Sequence, residues 1–225
     1  MVIFGLQIVL LTKTHCLEQQ KQSNICVFST KEIVKLNYMK RIAIFASGSG
    51  SNAENIFHYF QKNHQVIVDI FLTNNPNAKV LERADKLGVE SFVFNRNVFY
   101  NSSLVLDELL SRNIDFIVLA GFMWLVPENI LNQYTQKIVN IHPALLPAYG
   151  GKGMYGDFVH EAVSKAGENK TGITIHFVNN KYDEGDIIFQ KAVDIIPGEN
   201  PQSIADKVHV LEYEWYPQII ESLLK

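Results

Sequence analysis

Cysteine is nearly missing from this chain: its 225 residues include two, Cys16 and Cys26, both close to the beginning. Everything beyond them lacks the thiols for a disulfide framework or a thiolate metal site, which fits a reducing, cytoplasmic setting. Neither sign of charge dominates, with 20 lysines and arginines against 23 acids and a formal net charge of -3. Recognition of a phosphate backbone needs a basic face, so no nucleic-acid partner is expected and small molecules are favoured as ligands. Long hydrophobic runs are missing too. The opening MVIFGLQIVLL is too short to span a bilayer, has no basic residue before it and no clear small-residue cleavage site after it. No membrane partner is expected. There is also no internal repeat and no low-complexity linker, so the length fits one domain.

Residues 1–38 carry no sustained helix or strand period. They read as a poorly ordered extension or the product of an upstream start codon, with targeting the less favoured reading. A fresh start, MKRIAIFASGSGSN, begins at Met39 and opens a domain over residues 39–225. A mature native chain found by mass spectrometry to begin well before Met39 would overturn the start-codon version.

From Met39, short apolar runs alternate with amphipathic segments, the pattern of a mostly parallel, Rossmann-like α/β sheet with helices on both faces. Arg41 to Ala46 reads as the first strand and Asn52 to Lys62 as the first helix. The next pairs are QVIVDIFLTN with AKVLERADKLG and ESFVFN with SLVLDELLSRN. DFIVLA is a fourth strand, apolar almost throughout, as a strand covered on both faces should be. A short helix over Pro127 to Leu131 leads to KIVNIH, the fifth strand. After the Gly-rich AYGGKGMYG comes a helix around Phe158 to Ala166. The runs TGITIHFVN and DIIFQKAVDI then alternate with period two, predicting a less buried, antiparallel addition. Pro201 to Leu224 reads as a closing helix with Ile204, Val208 and Leu211 on one stripe, broken or bent at Pro217.

Three places carry chemistry. Gly48-Ser-Gly50-Ser51-Asn52-Ala53 joins the first strand to the first helix, where free N–H groups can take an anion. An ordinary turn with Ser51 or Asn52 as N-cap explains it equally well. No lysine follows the glycines as in a Walker loop, and the second strand ends in Thr73-Asn74-Asn75 with no acid for a ribose diol. Asp69 lies inside that strand. A phosphate monoester therefore suits the loop better than a dinucleotide. At the end of the fifth strand, Asn140 and His142 alternate and so share a face, where an amide donor beside an imidazole can hold an oxyanion and handle a proton. A strand-end histidine is often structural. Asp183, in the turn-rich NNKYDEGD, reads alone as a turn aspartate. Placed against His142, it would favour the imidazolium and lift that histidine from its reference pKa of about 6.5.

Together, ASGSGSN, LAGFMWLV, NIHPALLP, GITIHFV-NNKYDEGDII and the closing E-x-x-x-YP of Glu212 to Pro217 resemble, in order, the glycinamide ribonucleotide formyltransferases of the folate-dependent formyltransferase family. The resemblance runs from Met39 to the C-terminus. It implies the formyltransferase fold and transfer of a formyl group from 10-formyltetrahydrofolate to the amine of glycinamide ribonucleotide, in de novo purine biosynthesis, without a metal. By position it implies Asn140, His142 and Asp183 as the catalytic set. Gly50, Ser51 and Asn52 would hold the substrate phosphate and Glu212 its far end. Met123, Trp124, Leu125 and Val126, with Asn140 and Asn179, Asn180, Lys181, Tyr182 and Asp183, would hold the folate, largely through backbone groups.

Three features depart from the family pattern: Trp124 replaces a frequent arginine, Asn180 a usual acid, and AYGGKGMYG is longer than usual and lacks a common histidine. That segment reads equally as a lid, with Lys152 approaching an anion, or as a flexible connector. Unchanged Michaelis constants for both substrates in Lys152→Ala would exclude the lid contact. A methionyl-tRNA formyltransferase would need a further C-terminal domain, and a formyltetrahydrofolate hydrolase an N-terminal regulatory one. A sugar-nucleotide formyltransferase fits less well with the phosphate loop and Glu212. A non-catalytic nucleotide-binding module using only the Gly50 loop is the alternative from another class. The oligomeric state stays open between monomer and homodimer.

Overall fold

Strands made almost wholly of apolar residues are stable only where both sheet faces are covered. In the computed structural model, which describes residues 39–62 and 65–225, such strands take the middle of the sheet. The expectations for residues 1–38 lie outside the described residues. The strands are β1 (Lys40–Phe45), β2 (Val66–Thr73), β3 (Glu90–Val93), β4 (Phe116–Leu119), β5 (Ile138–His142), β6 (Lys170–Phe177) and β7 (Ile187–Asp194). They form one seven-stranded sheet in the order β3-β2-β1-β4-β5-β6-β7. Pairing is parallel from β3 to β5, and β6 and β7 add antiparallel.

Alternation along β1 divides the core. Ile42 and Ile44 join one apolar cluster with Val118, Val139 and Ile141, while Ala43 and Phe45 join another with Ile70, Leu72, Ile117 and Leu119. Seven helices among the described residues accompany the sheet: α1 (Ser51–Phe60), α2 (Lys79–Leu87), α3 (Arg96–Asn101), α4 (Leu104–Ser111), α5 (Glu128–Gln133), α6 (Asp157–Ala166) and α7 (Pro201–Leu223). None is long and apolar enough to cross a membrane. The first cluster includes Ile204, Val208, Leu211, Tyr216 and Ile220 of α7.

Three expectations change. The short α3 is additional: Asn95 caps it by accepting from the Val98 N–H at 2.9 Å, and Phe99 is its one buried residue, too weak a pattern to read as a helix. Only β7 of the two is half-exposed; Thr171 to His176 of β6 are all buried, with Ile173 and Ile175 in one cluster with Ile204, Val208 and Leu211 of α7. Finally, α7 continues through Pro217. Proline has no N–H for the Tyr213 carbonyl four residues earlier. That carbonyl instead accepts from Asn55 Nδ2 at 2.9 Å, an α1 side chain standing in for the missing amide.

Candidate active site

The strand order reverses between β1 and β4, so the connections leaving their carboxyl ends diverge and open a crevice. A cavity of about 490 Å³ lies there, bounded by Gly48 to Asn52 after β1, Ala120 to Met123 after β4 and Asn140 to Pro143 at the end of β5. Lys152, Tyr182, Asp183, His160, His209 and Glu212 complete much of the remaining wall. This volume lies in the range of small-molecule sites.

Gly50 fixes the first wall. Its φ is 71°, and a β-carbon there would come within 2.6 Å of Val80 Cβ, so both conformation and space exclude a side chain. It is the N-cap of α1, with no side-chain cap. The expectation of Ser51 or Asn52 as cap is thus corrected: Asn52 lies inside the first turn and donates its Nδ2 to Glu212 Oε2 at 2.9 Å. Gly50 itself has no side chain to cap these amides, and only a long 3.4 Å contact runs from Ser51 N–H to Ser49 Oγ, a setting that suits an anion.

β5 presents Asn140 and His142, and the adjacent register places His176 of β6 opposite Asn140. His176 Nδ1 donates to the Phe177 carbonyl at 2.8 Å, so in the neutral ring Nε2 is an acceptor. Asn140 Nδ2 donates to it at 3.1 Å. This contact orients the amide and leaves its second hydrogen for a ligand oxygen.

Asp183, at φ 55° in the β6–β7 connection, stands between two histidines. Its Oδ2 is 3.6 Å from His142 Nδ1 and its Oδ1 is 3.6 Å from His176 Nε2. The Gly-rich segment also reaches this group. Gly151 N donates to Asp183 Oδ2, and His142 Nε2 donates to the Tyr149 carbonyl, both at 2.8 Å. Gly150 lies between them, and a β-carbon there would be 2.5 Å from Leu146 Cδ2 and 3.3 Å from Asp183 Cβ.

Burial raises Asp183, but a hydrogen bond from His176 and the charge of His142, each in its protonated form, together with the Gly151 amide, outweigh it and hold its pKa below the ordinary carboxylate value. For His142 the balance reverses the expectation. Burial lowers its pKa below 6.5 and outweighs the raising effects of Asp183 and the Tyr149 carbonyl. The unliganded imidazole is therefore mainly neutral near pH 7, with Nδ1 open to a proton.

At the α7 side, Glu212 is 5% exposed and accepts on Oε2 from both Asn52 and His209, the latter at 3.0 Å. That contact raises His209 above its ordinary pKa against the opposing effect of burial. Tyr216, in the same closing motif, donates from its hydroxyl to the Leu119 carbonyl at 2.9 Å and fastens α7 to the strand ends.

The other candidates are spread more widely. Met123 lines the cavity, and its N–H donates to Ser47 Oγ at 3.1 Å. Trp124 packs edge-on to Phe94 and beneath the Arg96 guanidinium, Leu125 accepts from the Tyr100 hydroxyl, and Val126 is buried; none of these three lines the cavity. Asn179 and Asn180 border a separate groove with Glu128 and Phe177, and Lys181 pairs with Glu184. His176, His160 and His209 were absent from the sequence-derived site. Only His176 had a signal, its place in TIHFV opposite a strand ending in NIH. No group of three or more metal-ligating side chains is arranged to hold a metal ion among the described residues.

Residues 40–220 match the family model described as formyl transferase. The chain is 37% identical over 191 residues to phosphoribosylglycinamide formyltransferase of Bacillus subtilis, covering 83% of this chain and 95% of that one. It is also 37% identical to the chloroplastic enzyme of the same name from Arabidopsis thaliana, covering 82% of this chain and 65% of the plant protein. The crystal structure of glycinamide ribonucleotide transformylase 1 from Geobacillus kaustophilus superposes with a TM-score of 0.75 at 40% identity, covering 83% of this chain and all of that one.

Proposed function

The chain belongs to the formyl transferase family, and from that premise we propose that its cavity transfers a formyl group from 10-formyltetrahydrofolate to the amine of glycinamide ribonucleotide. The observation that carries this reading is the convergence on one cavity of Asn140, a neutral His142 beside Asp183, and the glycine-capped start of α1.

Gly50, Ser51 and Asn52 hold the substrate phosphate at the start of α1, and Glu212 takes the sugar side. The folate lies along Met123 to Val126 and Asn179 to Asp183, of which Met123, Tyr182 and Asp183 line the cavity. Asn140 donates its free amide hydrogen to the oxygen of the formyl group as the substrate amine bonds to the formyl carbon and negative charge builds there. His142 takes the proton released by the amine, and the carboxylate of Asp183 stabilises the resulting imidazolium. When the carbon–nitrogen bond to the folate breaks, His142 returns that proton to the departing nitrogen. Asp183 stays ionised throughout, and the contacts from Tyr149 and Gly151 keep both groups in place.

The ligands on this reading are small molecules. Residues 39–225 carry the activity, as monomer or homodimer, in the cytoplasm; the chloroplastic plant relative makes an organelle the alternative setting. An absorbance assay for folate product, with glycinamide ribonucleotide present or omitted, tests the function. Product only with the amine supports transfer; equal turnover without it identifies a hydrolase, and none in either case overturns the reading.

A further inference from the structure

His160 has no part in this scheme, yet its surroundings suit a ligand. It lies in the first turns of α6, is 2% exposed, and lines the same cavity as Asn52, His209 and Glu212. Its ring centroid is 6.4 Å from that of His209, at an interplanar angle of 74°. Among the described residues neither ring nitrogen makes a hydrogen bond, and Nδ1 is sealed from solvent. Buried polar atoms are rarely left so.

A neutral imidazole carries one hydrogen and one lone pair. A buried acceptor without a donor is tolerated better than a buried N–H without an acceptor, so the lone pair belongs on sealed Nδ1. Nε2 then carries the hydrogen and is the donor left for a ligand. Burial, assisted by the charge on His209, lowers the proton affinity of His160 and keeps it neutral. Its contribution is therefore a directed hydrogen bond.

Glu212 supplies the complement. Its Oε2 is occupied by Asn52 and His209, whereas Oε1 has no hydrogen-bond partner among the described residues. This wall thus offers an open anionic acceptor near a neutral donor. A phosphate oxygen would be repelled by the carboxylate. A hydroxyl group both donates and accepts, and answers both. We propose that His160 is a specificity-determining residue, donating from Nε2 to a ribose hydroxyl oxygen of the amine substrate beside Glu212. This rests on the glycinamide ribonucleotide reading.

The test is steady-state kinetics of the full chain with glycinamide ribonucleotide and its 2′-deoxy and 3′-deoxy analogues. His160→Leu is expected to raise KM for glycinamide ribonucleotide about three- to tenfold, with kcat within about twofold and KM for the folate unchanged. His160→Gln, whose amide reaches the Nε2 position, should recover most of this loss. His160→Asn, whose amide stops near the Nδ1 position, should not, and it serves as a second donor-deficient variant if His160→Leu folds poorly. With one deoxy analogue the wild type should already show the higher KM, and removing the imidazole should add nothing. An unchanged KM in the donor-deficient variants, a loss confined to kcat, or a full penalty with both analogues overturns the proposal. Absence of wild-type transfer to glycinamide ribonucleotide overturns the functional reading and this residue assignment together, whereas normal turnover with unaltered KM overturns the assignment alone.

Discussion

Asp183 is shared by more partners than any other candidate catalytic residue: two imidazoles flank it and the Gly151 amide binds it. Its carboxylate raises the proton affinity of His142, though burial still leaves that affinity below the ordinary value. Asp183→Asn removes the raising charge. The variant should lose about 100-fold or more in kcat, and the acid limb of its residual kcat/KM profile should move to lower pH. An unmoved limb would show that the two groups are not electrostatically coupled. Stability has its own sign. The folded pKa of His142 lies below its ordinary 6.5, so between those values the unfolded chain binds more protons. The associated stability is complete above about pH 6.5 and is lost as pH falls through the folded value. His160 is lowered in the same direction, so its contribution has the same window. Replacing His142 by Gln should therefore flatten, without abolishing, the fall in Tm between about pH 7 and 5. A slope equal to wild type would remove His142 as a source.

At the scale of elements, the long helix α7 depends on a side chain from α1. Asn55 donates to the Tyr213 carbonyl that Pro217 leaves without an amide, so Asn55→Ala should destabilise the protein by about 0.5–1.5 kcal/mol in denaturant unfolding. Pro217→Ala restores an N–H to the helix, and the Asn55→Ala penalty measured in that background should shrink. Equal penalties in both backgrounds would separate the asparagine from the proline. The sequence could announce the proline but not its remedy, because Asn55 and Tyr213 are 158 positions apart. The same distinction governs the site. Strand periodicity places Asn140 and His142 on one face, and unbroken apolar runs identify β1 and β4 as interior. His176 becomes visible only once the antiparallel register sets it opposite Asn140. His160 and Glu212 come to one cavity through the packing of α6 and α7, which neither segment's own pattern encodes. Asp183 was reached through family resemblance, and its two histidine contacts come from a connection whose local signal is only a turn. The net lowering of His142 was illegible for a related reason: burial depends on all surrounding elements, whereas the expected rise considered one neighbour.

For the molecule as a whole, the question is how much chain the fold and cavity require. The sheet begins at Lys40, whose strand pairs with β2 on one side and β4 on the other. All seven strands and every residue named in the cavity wall lie between residues 40 and 223, and the family match spans 40–220. Among the described residues, the members of both apolar clusters lie beyond Met39. The driving force for folding scales with apolar surface removed from water, and a chain beginning at Met39 keeps every residue named in the two clusters. It should unfold cooperatively with a Tm within about 2 °C of the full chain, a shift of about 0.5–1 kcal/mol for a domain of this size. Its kcat and both Michaelis constants should stay within about twofold, since 1.4 kcal/mol would be needed for a tenfold change. Thermal unfolding and the folate absorbance assay on the two chains, at equal concentration and pH, separate the outcomes. A lower Tm with intact kinetics would assign residues 1–38 a stabilising role, and a changed Michaelis constant at equal Tm would assign them one at the site. Either result would overturn residues 39–225 as the self-sufficient unit.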